Sequence, residues 1–435
     1  MSEKSTLLAE HVRLRKESFG GFFYDLNKYS LFELDSQAFA ILSSLRKGIP
    51  IHTLLEYIRL AGGSVKEAEQ FIQSLQKSNY LVTTDSPVNI SFDEFSELWN
   101  ARAIHKNYYS SPLLVYLEVT MGCNLKCKHC YNNSGLVRKK ELTTLELYNL
   151  LDELAHMGVL FVAFSGGEPL TRSDIFELMA YAKNKGLEVI LSTNGTLLTP
   201  ELASKAKETN INNVQISLDS ADPEKHDSFR GVSGAFERAT NAISYLVDAK
   251  VDVTVSSTVS RLNYDELEKL VALVNSLKCK RFRIIHLIPA GRATANINQL
   301  WLTGKERLKV AEQIKRISEK YPDLHIYSES QYDFVDSVNF DVCTAGKSIC
   351  RIDAEGNVYP CAFFMDFKEG NIKDTSFHDI WTKNDAFKIF RKAFQVKGKC
   401  ASCIKLNTCG AGCRAAAYYF TGDIYESDPI CWLKD

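Results

Sequence analysis

Cys123, Cys127 and Cys130 stand in Cys-x3-Cys-x2-Cys spacing just after the apolar run Leu113 to Val119. Thiolates are soft ligands suited to iron-sulfur clusters and zinc. Three of them hold three irons of a cubic cluster, whereas a purely structural cluster takes four protein ligands. The remaining iron is then open to a small molecule. The same segment admits zinc, with His129 completing a tetrahedral Cys3His set. Of the twelve cysteines, one, Cys279, stands alone, and eight follow residue 340. Eight clustered thiols suffice for two sites of four ligands each. Cys279 has no neighbours in sequence and reads as a buried core residue.

The bulk composition narrows where such chemistry operates. The 435 residues carry 52 basic and 53 acidic side chains, a formal net charge of -1, so no global field favours nucleic acid or an anionic membrane. The N-terminus lacks a long apolar signal region, and no stretch reaches the ~18 apolar residues of a membrane span. A soluble cytoplasmic protein is expected. In a reducing compartment, this many cysteines read as metal ligands rather than disulfides.

The elements that must position these residues are legible from periodicity. Between His11 and Val82, a strand-like segment around Phe22 to Tyr24 and another at Leu31-Phe32 suggest a hairpin or meander. Asp35 or Ser36 caps a helix with Ala38, Ile41, Leu42 and Leu45 on one face, stopped by Gly48 and Pro50. A second helix is expected from about Ile51 to Leu60. Ser64 caps a third, with Ala68, Phe71, Ile72 and Leu75 aligned. This order resembles a winged helix-turn-helix over residues 1–90, followed by a linker helix over 91–112. Lys66 and Lys77 against Glu67 and Glu69 give the third helix a poor charge balance for phosphate contacts. Apolar runs then recur at Leu114 to Val119, Leu160 to Phe164, Glu188 to Leu191, Val214 to Leu218, Val251 to Val255 and Phe282 to Ile288, separated by helical patterns. Six such units predict an α/β fold, a partial (β/α)6 TIM-like barrel over 113–320, with chemistry at the C-terminal strand ends. A cysteine-rich domain is expected over 321–435.

Motifs fall at those ends. Ser165-Gly166-Gly167-Glu168-Pro169 follows the second strand, Ser192-Thr193-Asn194-Gly195 the third, and Ser217-Leu218-Asp219-Ser220 the fourth, with Arg230 in a segment soon after. Together with the cysteine triplet they resemble the radical S-adenosylmethionine (SAM) enzymes. The resemblance implies that Cys123, Cys127 and Cys130 hold a [4Fe-4S] cluster that binds SAM. It implies further that the turn with Gly166, Gly167, Glu168 and Pro169 meets the SAM amino group, that the backbone at Tyr131 and around Leu287 meets the adenine, and that Arg230 meets the methionyl carboxylate. Asn194, at the end of the third strand, is placed to reach the ribose hydroxyls, and Ser217 ends the fourth strand as a further candidate contact. A reduced cluster then splits SAM to a 5'-deoxyadenosyl radical.

The C-terminal cysteines are similar to the SPASM domain of radical SAM maturases, which holds two auxiliary clusters, expected as [4Fe-4S]. By that likeness Cys343, Cys361 and Cys413 hold the first, with Cys350 as fourth ligand, and Cys400, Cys403, Cys409 and Cys431 the second. The segment from Cys400 through Thr421-Gly422-Asp423 also looks like radical SAM enzymes of haem biosynthesis. Sulfatase maturases carry an aspartate after the position of Cys361. Ala362 stands there instead, which disfavours that chemistry. Residues 11 to 82 resemble the RiPP recognition element, which binds leader peptides of ribosomally made natural products as an added strand. The expected function is a maturase that binds a precursor peptide by its leader and installs a cross-link, thioether or carbon-carbon, with a flavodoxin- or ferredoxin-like electron donor. The alternatives are haem or other cofactor biosynthesis, and a non-catalytic zinc-binding DNA regulator. No side chain stands out as the catalytic acid or base.

Overall fold

The computed structural model of the protein describes residues 5–28, 30–84, 88, 90–104, 106–328, 343–383, 387–392 and 395–431. Part of the expected C-terminal domain, residues 329–342, lies outside them. Two compact units divide after Ser110.

The first unit contains strands β1 (Ser5–Leu8), β2 (Val12–Glu17), β3 (Gly20–Asp25) and β4 (Ser30–Leu34), helices α1 (Ser36–Lys47), α2 (Ile51–Leu60) and α3 (Val65–Lys77), strand β5 (Leu81–Thr84) and helix α4 (Phe92–Trp99). Strands β2, β3 and β4 form an antiparallel sheet, while β1 pairs with β5. The Asp35 carboxylate caps α1 by accepting the Ala38 N–H at 2.7 Å, and Gly48 ends it in the left-handed region. Ser64 caps α3, as the sequence predicts. Helix α4 is not a free linker. Phe95 and Trp99, one turn apart, are buried with Ile58, Leu54 and Ile90 in the core of this unit, where hydrophobic burial outweighs the polar flanks that marked the segment as a connector.

The second unit is built on a ten-stranded sheet. Its elements are β6 (Leu114–Thr120), α5 (Thr144–His156), β7 (Phe161–Gly166), α6 (Ile175–Asn184), β8 (Glu188–Thr193), α7 (Pro200–Glu208), β9 (Asn213–Ser217), α8 (Pro223–Arg230), α9 (Ala235–Asp248), β10 (Val253–Val259), α10 (Leu267–Ser276), β11 (Arg281–His286), α11 (Arg292–Ala295), α12 (Ile297–Leu300), α13 (Gly304–Lys320) and β12 (His325–Ser328). They continue through β13 (Ile349–Ile352), β14 (Asn357–Tyr359), β15 (Gly370–Asn371), α14 (Phe377–Lys383), α15 (Phe387–Arg391), α16 (Gly398–Ala401), α17 (Leu406–Cys409) and α18 (Arg414–Thr421). The strand order is β12-β11-β10-β9-β8-β7-β6-β13-β14-β15, parallel from β12 to β13 and antiparallel beyond. The six predicted strands are β6 to β11, consecutive in space, so the sheet is a partial, open (β/α) barrel. Four strands were not anticipated in it: β12 extends one edge, and β13 joins β6 and carries β14 and β15 beyond it.

Period-two alternation separates the two faces. On β6, Val115, Leu117 and Val119 enter the core under the helices, while Tyr116 faces the site cavity. Among the described residues no helix is long and apolar enough to cross a membrane.

Candidate active site

The loop after β6 carries the three cysteines and is fastened mostly through its own main chain. Cys123 N–H donates to Gly135 O at 2.9 Å, Lys126 N–H to Arg230 O at 3.1 Å and Lys128 N–H to Phe229 O at 3.0 Å. From the turn after β11, Arg292 N–H reaches Cys130 O at 2.8 Å, and its guanidinium donates to Cys127 O at 2.9 Å and Ser134 O at 2.6 Å. Asn296 Nδ2 adds Lys128 O at 3.1 Å. Gly291 has φ of +59°, and a Cβ there would lie 2.3 Å from Tyr131 O. Neither Gly291, Arg292 nor Asn296 was singled out from the sequence. The only signal was a Pro-Ala-Gly-Arg turn at a strand end.

Burial pushes the Cys123 thiol up to about 11, and raises the Cys127 thiol against the pull of the Arg230 guanidinium. Among the described residues no three metal-ligating side chains form a ready-made site. His129, the candidate fourth zinc ligand, stacks on Phe229 with ring centroids 4.0 Å apart. Burial holds its pKa down at about 3.

The structure brings most of the predicted cofactor residues to one cavity. Cys123, Cys127, Cys130 and Tyr131 line it from the loop, Gly166 and Gly167 from the end of β7, Asn194 and Ser217 from the ends of β8 and β9, and Arg230 and Leu287 complete it. Two predicted residues do not line it. Glu168 is fully buried, and its carboxylate accepts Thr193 Oγ1 at 2.6 Å, Asn194 N–H at 2.8 Å and Leu170 N–H at 3.1 Å. Pro169 opens a short 3-10 turn behind it. The buried carboxylate, satisfied by these donors, holds the turn in shape.

The two glycines have a tighter constraint than ligand approach. A Cβ on Gly166 would lie 2.2 Å from Thr120 O, and one on Gly167 2.1 Å from Gly122 O. They let the β7 turn lie against the root of the cysteine loop, where Gly167 N–H bonds Thr120 O at 2.7 Å.

Asn194 donates to Asn124 Oδ1 at 2.9 Å and accepts from Thr196, tying β8 to the loop. Arg230 is anchored by Asp219, Nε to Oδ2 at 2.6 Å, with another nitrogen 3.8 Å from Cys127 Sγ. Burial, the largest single influence, lowers the guanidinium pKa, but Asp219 and Cys127 together more than offset it and the net shift is upward. Deeper in the barrel, Arg283 and Ser192 converge on the Gln215 side-chain oxygen at 3.0 and 3.2 Å, giving the cavity a polar floor.

Most of the C-terminal cysteines fall into two neighbourhoods, with Cys350 outside both. Burial raises the Cys361 thiol to about 12, and its neighbour Cys343 adds to the shift. Burial, Asp428, Cys343 and Cys361 together raise Cys413. Cys409 has Cys431 and Cys400 as neighbours, and the Cys403 N–H bonds Cys400 O at 3.3 Å. Cys350 is a correction. It lies on β13, fully buried, on the same face as Ile352 in the apolar core with Val358 and Phe377. Strand alternation turns its thiol toward that core, away from Cys361, so it is withdrawn from the ligand set. Cys279 is a core residue, as expected.

Thiols in a loop at the C-terminal strand ends, beside a cavity with a glycine-lined wall and a cationic edge, define a redox-cofactor enzyme site of the (β/α) barrel class. Residues 117–274 match the family described as the radical SAM superfamily, and residues 343–404 match SPASM, an iron-sulfur cluster-binding domain. An AdoMet-dependent heme synthase of Methanosarcina barkeri is 35% identical over 74% of this chain and 97% of its own. The mycofactocin maturase MftC of Mycolicibacterium smegmatis is 34% identical over 74% of this chain and 83% of its own. In fold, the chain is similar to Streptococcus suis SuiB bound to S-adenosylmethionine, with a TM-score of 0.77 at 20% identity, covering 98% of this chain and 100% of that one.

The chain belongs to the radical SAM superfamily, in its SPASM-bearing branch. It is therefore an enzyme of SAM and iron-sulfur chemistry, which removes the zinc-regulator alternative.

Proposed function

We propose that the protein is a peptide maturase: residues 1–90 together with α4 form a winged helix-turn-helix leader-binding module, the rest of 91–112 the connection, 113–320 the radical-generating barrel and 321–435 the auxiliary-cluster domain. One observation carries this reading. The curated relatives match 74% of the chain, whereas the likeness to SuiB, solved also with its precursor peptide SuiA, covers 98% and so takes in the strand-and-helix unit at the N-terminus.

The residues fit the cofactors the family uses. Cys123, Cys127 and Cys130 would hold the SAM-binding cluster, Cys343, Cys361 and Cys413 the first auxiliary cluster, and Cys400, Cys403, Cys409 and Cys431 the second. When bound, SAM and its cluster supply a 5'-deoxyadenosyl radical for hydrogen abstraction from an unactivated carbon. The chain's part is orientation. Arg292 and Asn296 fix the loop, Glu168 sets the turn that presents the Gly166-Gly167 backbone, and Arg230, held by Asp219, offers a cation to a carboxylate. Tyr131 and Leu287 bound the cavity and exclude water. Ala362 and Phe363 line the same cavity, so no carboxylate reaches it from the position after Cys361. The product is a cross-link, thioether or carbon-carbon, formed in the cytoplasm with electrons from a small carrier protein.

Mixing the reconstituted enzyme with its precursor, SAM and reductant tests this: a mass loss of two hydrogens in the core peptide is the expected result, and an unmodified peptide in the presence of active SAM cleavage rejects it. The second reading, a role in haem formation, is favoured by the 35% identity to the heme synthase. Turnover of a haem precursor without any peptide would establish it instead.

A further inference from the structure

Cys123 borders two spaces. One is the cavity already described; the other is a separate cleft formed with Gly122, Asn124, Leu136, Val137 and Arg172. The segment leading from this cleft is unusual in what it shows to solvent. Leu136 is 88% exposed and Val137 66%, and Arg138, Lys139 and Lys140 that follow are exposed as well. Two adjacent large apolar side chains in water are costly unless something covers them part of the time.

The charges around the cleft have one sign to offer. Glu141 is occupied by the Met121 and Arg138 N–H groups at 2.8 Å each. Asp174 is paired with Arg172, and Glu146 with Lys373 and its own helix cap. Arg138, Lys139 and Lys140 make no ion pair among the described residues. Lys126, in the same cysteine loop, is exposed too.

We infer that Leu136, Val137 and the Arg138-Lys139-Lys140 run form the docking surface for a small acidic one-electron carrier protein, placed where its electron enters at the Cys123 corner. The inference rests on the cluster assignment above. One electron leaves the reduced carrier and enters the cluster held by Cys123, Cys127 and Cys130, with no bond made and no proton moved. A basic rim around an apolar centre suits such a partner: the charges steer it and set the salt dependence, and the apolar pair supplies the contact. The carrier remains a transient partner, so its contact need not be large.

The test uses the full-length, anaerobically reconstituted protein and a purified low-pI flavodoxin. In the triple variant R138E/K139E/K140E the dissociation constant for flavodoxin rises about tenfold or more at low salt and its salt dependence flattens. Flavodoxin-driven SAM cleavage falls in proportion, while dithionite-driven cleavage stays at the wild-type rate. Wild-type affinity and wild-type flavodoxin-driven cleavage in the variant overturn the docking surface. Failure of the wild-type protein to cleave SAM with dithionite overturns the cluster assignment instead. Should the triple variant lose iron, K139E and L136S singly decide the matter by the same affinity ratio.

Discussion

Arg230 holds a cation at the cavity by keeping an anion behind it. Asp219 is 1% exposed, accepts Arg230 Nε and also the Thr258 N–H at 2.9 Å, and although burial pushes its pKa up, Arg230, the two nearby histidines and the Thr258 N–H together bring it down. Arg230→Gln therefore leaves a buried carboxylate without its partner, a loss of about 3–5 kcal/mol, with SAM affinity reduced as well. Chemical denaturation and SAM titration measure the two effects, and an unchanged midpoint contradicts the pairing. Cys350→Ala, by contrast, leaves iron and sulfide content at the wild-type level while lowering stability by about 1–2 kcal/mol, the effect of a small cavity. Loss of iron would return Cys350 to the ligand set. Acid sensitivity follows from histidines held neutral: burial lowers both His226 and His286 from 6.5 to about 4. Their folded pKa values lie below the unfolded ones, so the stability they lend is complete above about pH 6.5 and is lost as pH falls toward 4, at up to about 1.4 kcal/mol per pH unit for each. A urea midpoint that falls between pH 7.5 and 5.5 is expected. At this scale the sequence identified Arg230 from its chemistry, but Asp219 behind it was legible only as part of a turn, since an ion pair across eleven residues leaves no pattern in one sequence.

The elements place the site by backbone contact more than by side chains. The cysteine loop meets the β7 turn through Gly166 and Gly167 and meets the turn after β11 through Gly291 and Arg292. Gly167→Ala drives a methyl group to 2.1 Å from Gly122 O, so the loop and turn must part. We expect the variant to lose iron from the first site and SAM binding with it, while both auxiliary clusters persist, as read by iron analysis and EPR. Arg292→Ala removes the side-chain bonds to Cys127 O and Ser134 O and lowers cluster occupancy in the same way. The six barrel strands were readable because each is a short apolar run between helical patterns. Strands β12 to β15 were not: β12 and β13 pair with β11 and β6, which lie far from them in sequence or across a differently composed stretch, and β14 and β15 are only three and two residues long. Cys350 was misassigned for the same reason: spacing among cysteines carries no information on which face of a strand a thiol occupies.

At the scale of the whole molecule, the chain forms two units, and the first has a core of its own. The N-terminal unit closes its own core with α4, so a chain beginning at Ser111 retains the complete barrel and its cysteines. Such a truncation is expected to cleave SAM at the full rate but to leave the precursor peptide unmodified; modification with undiminished affinity for the precursor would remove the leader-binding role. The barrel and the cysteine-rich stretch after it were legible, because motif spacing and hydrophobic period agree there. The bond formed was not, because it depends on where a substrate carbon lies in the cavity and no local pattern encodes that. The account as a whole turns on three cysteines leaving one iron open to SAM. Protein purified and reconstituted without air should contain about twelve irons with matching sulfide and, under a strong reductant, release 5'-deoxyadenosine and methionine in equal amounts. Zinc in place of iron, or intact SAM after reduction of an iron-loaded enzyme, contradicts it.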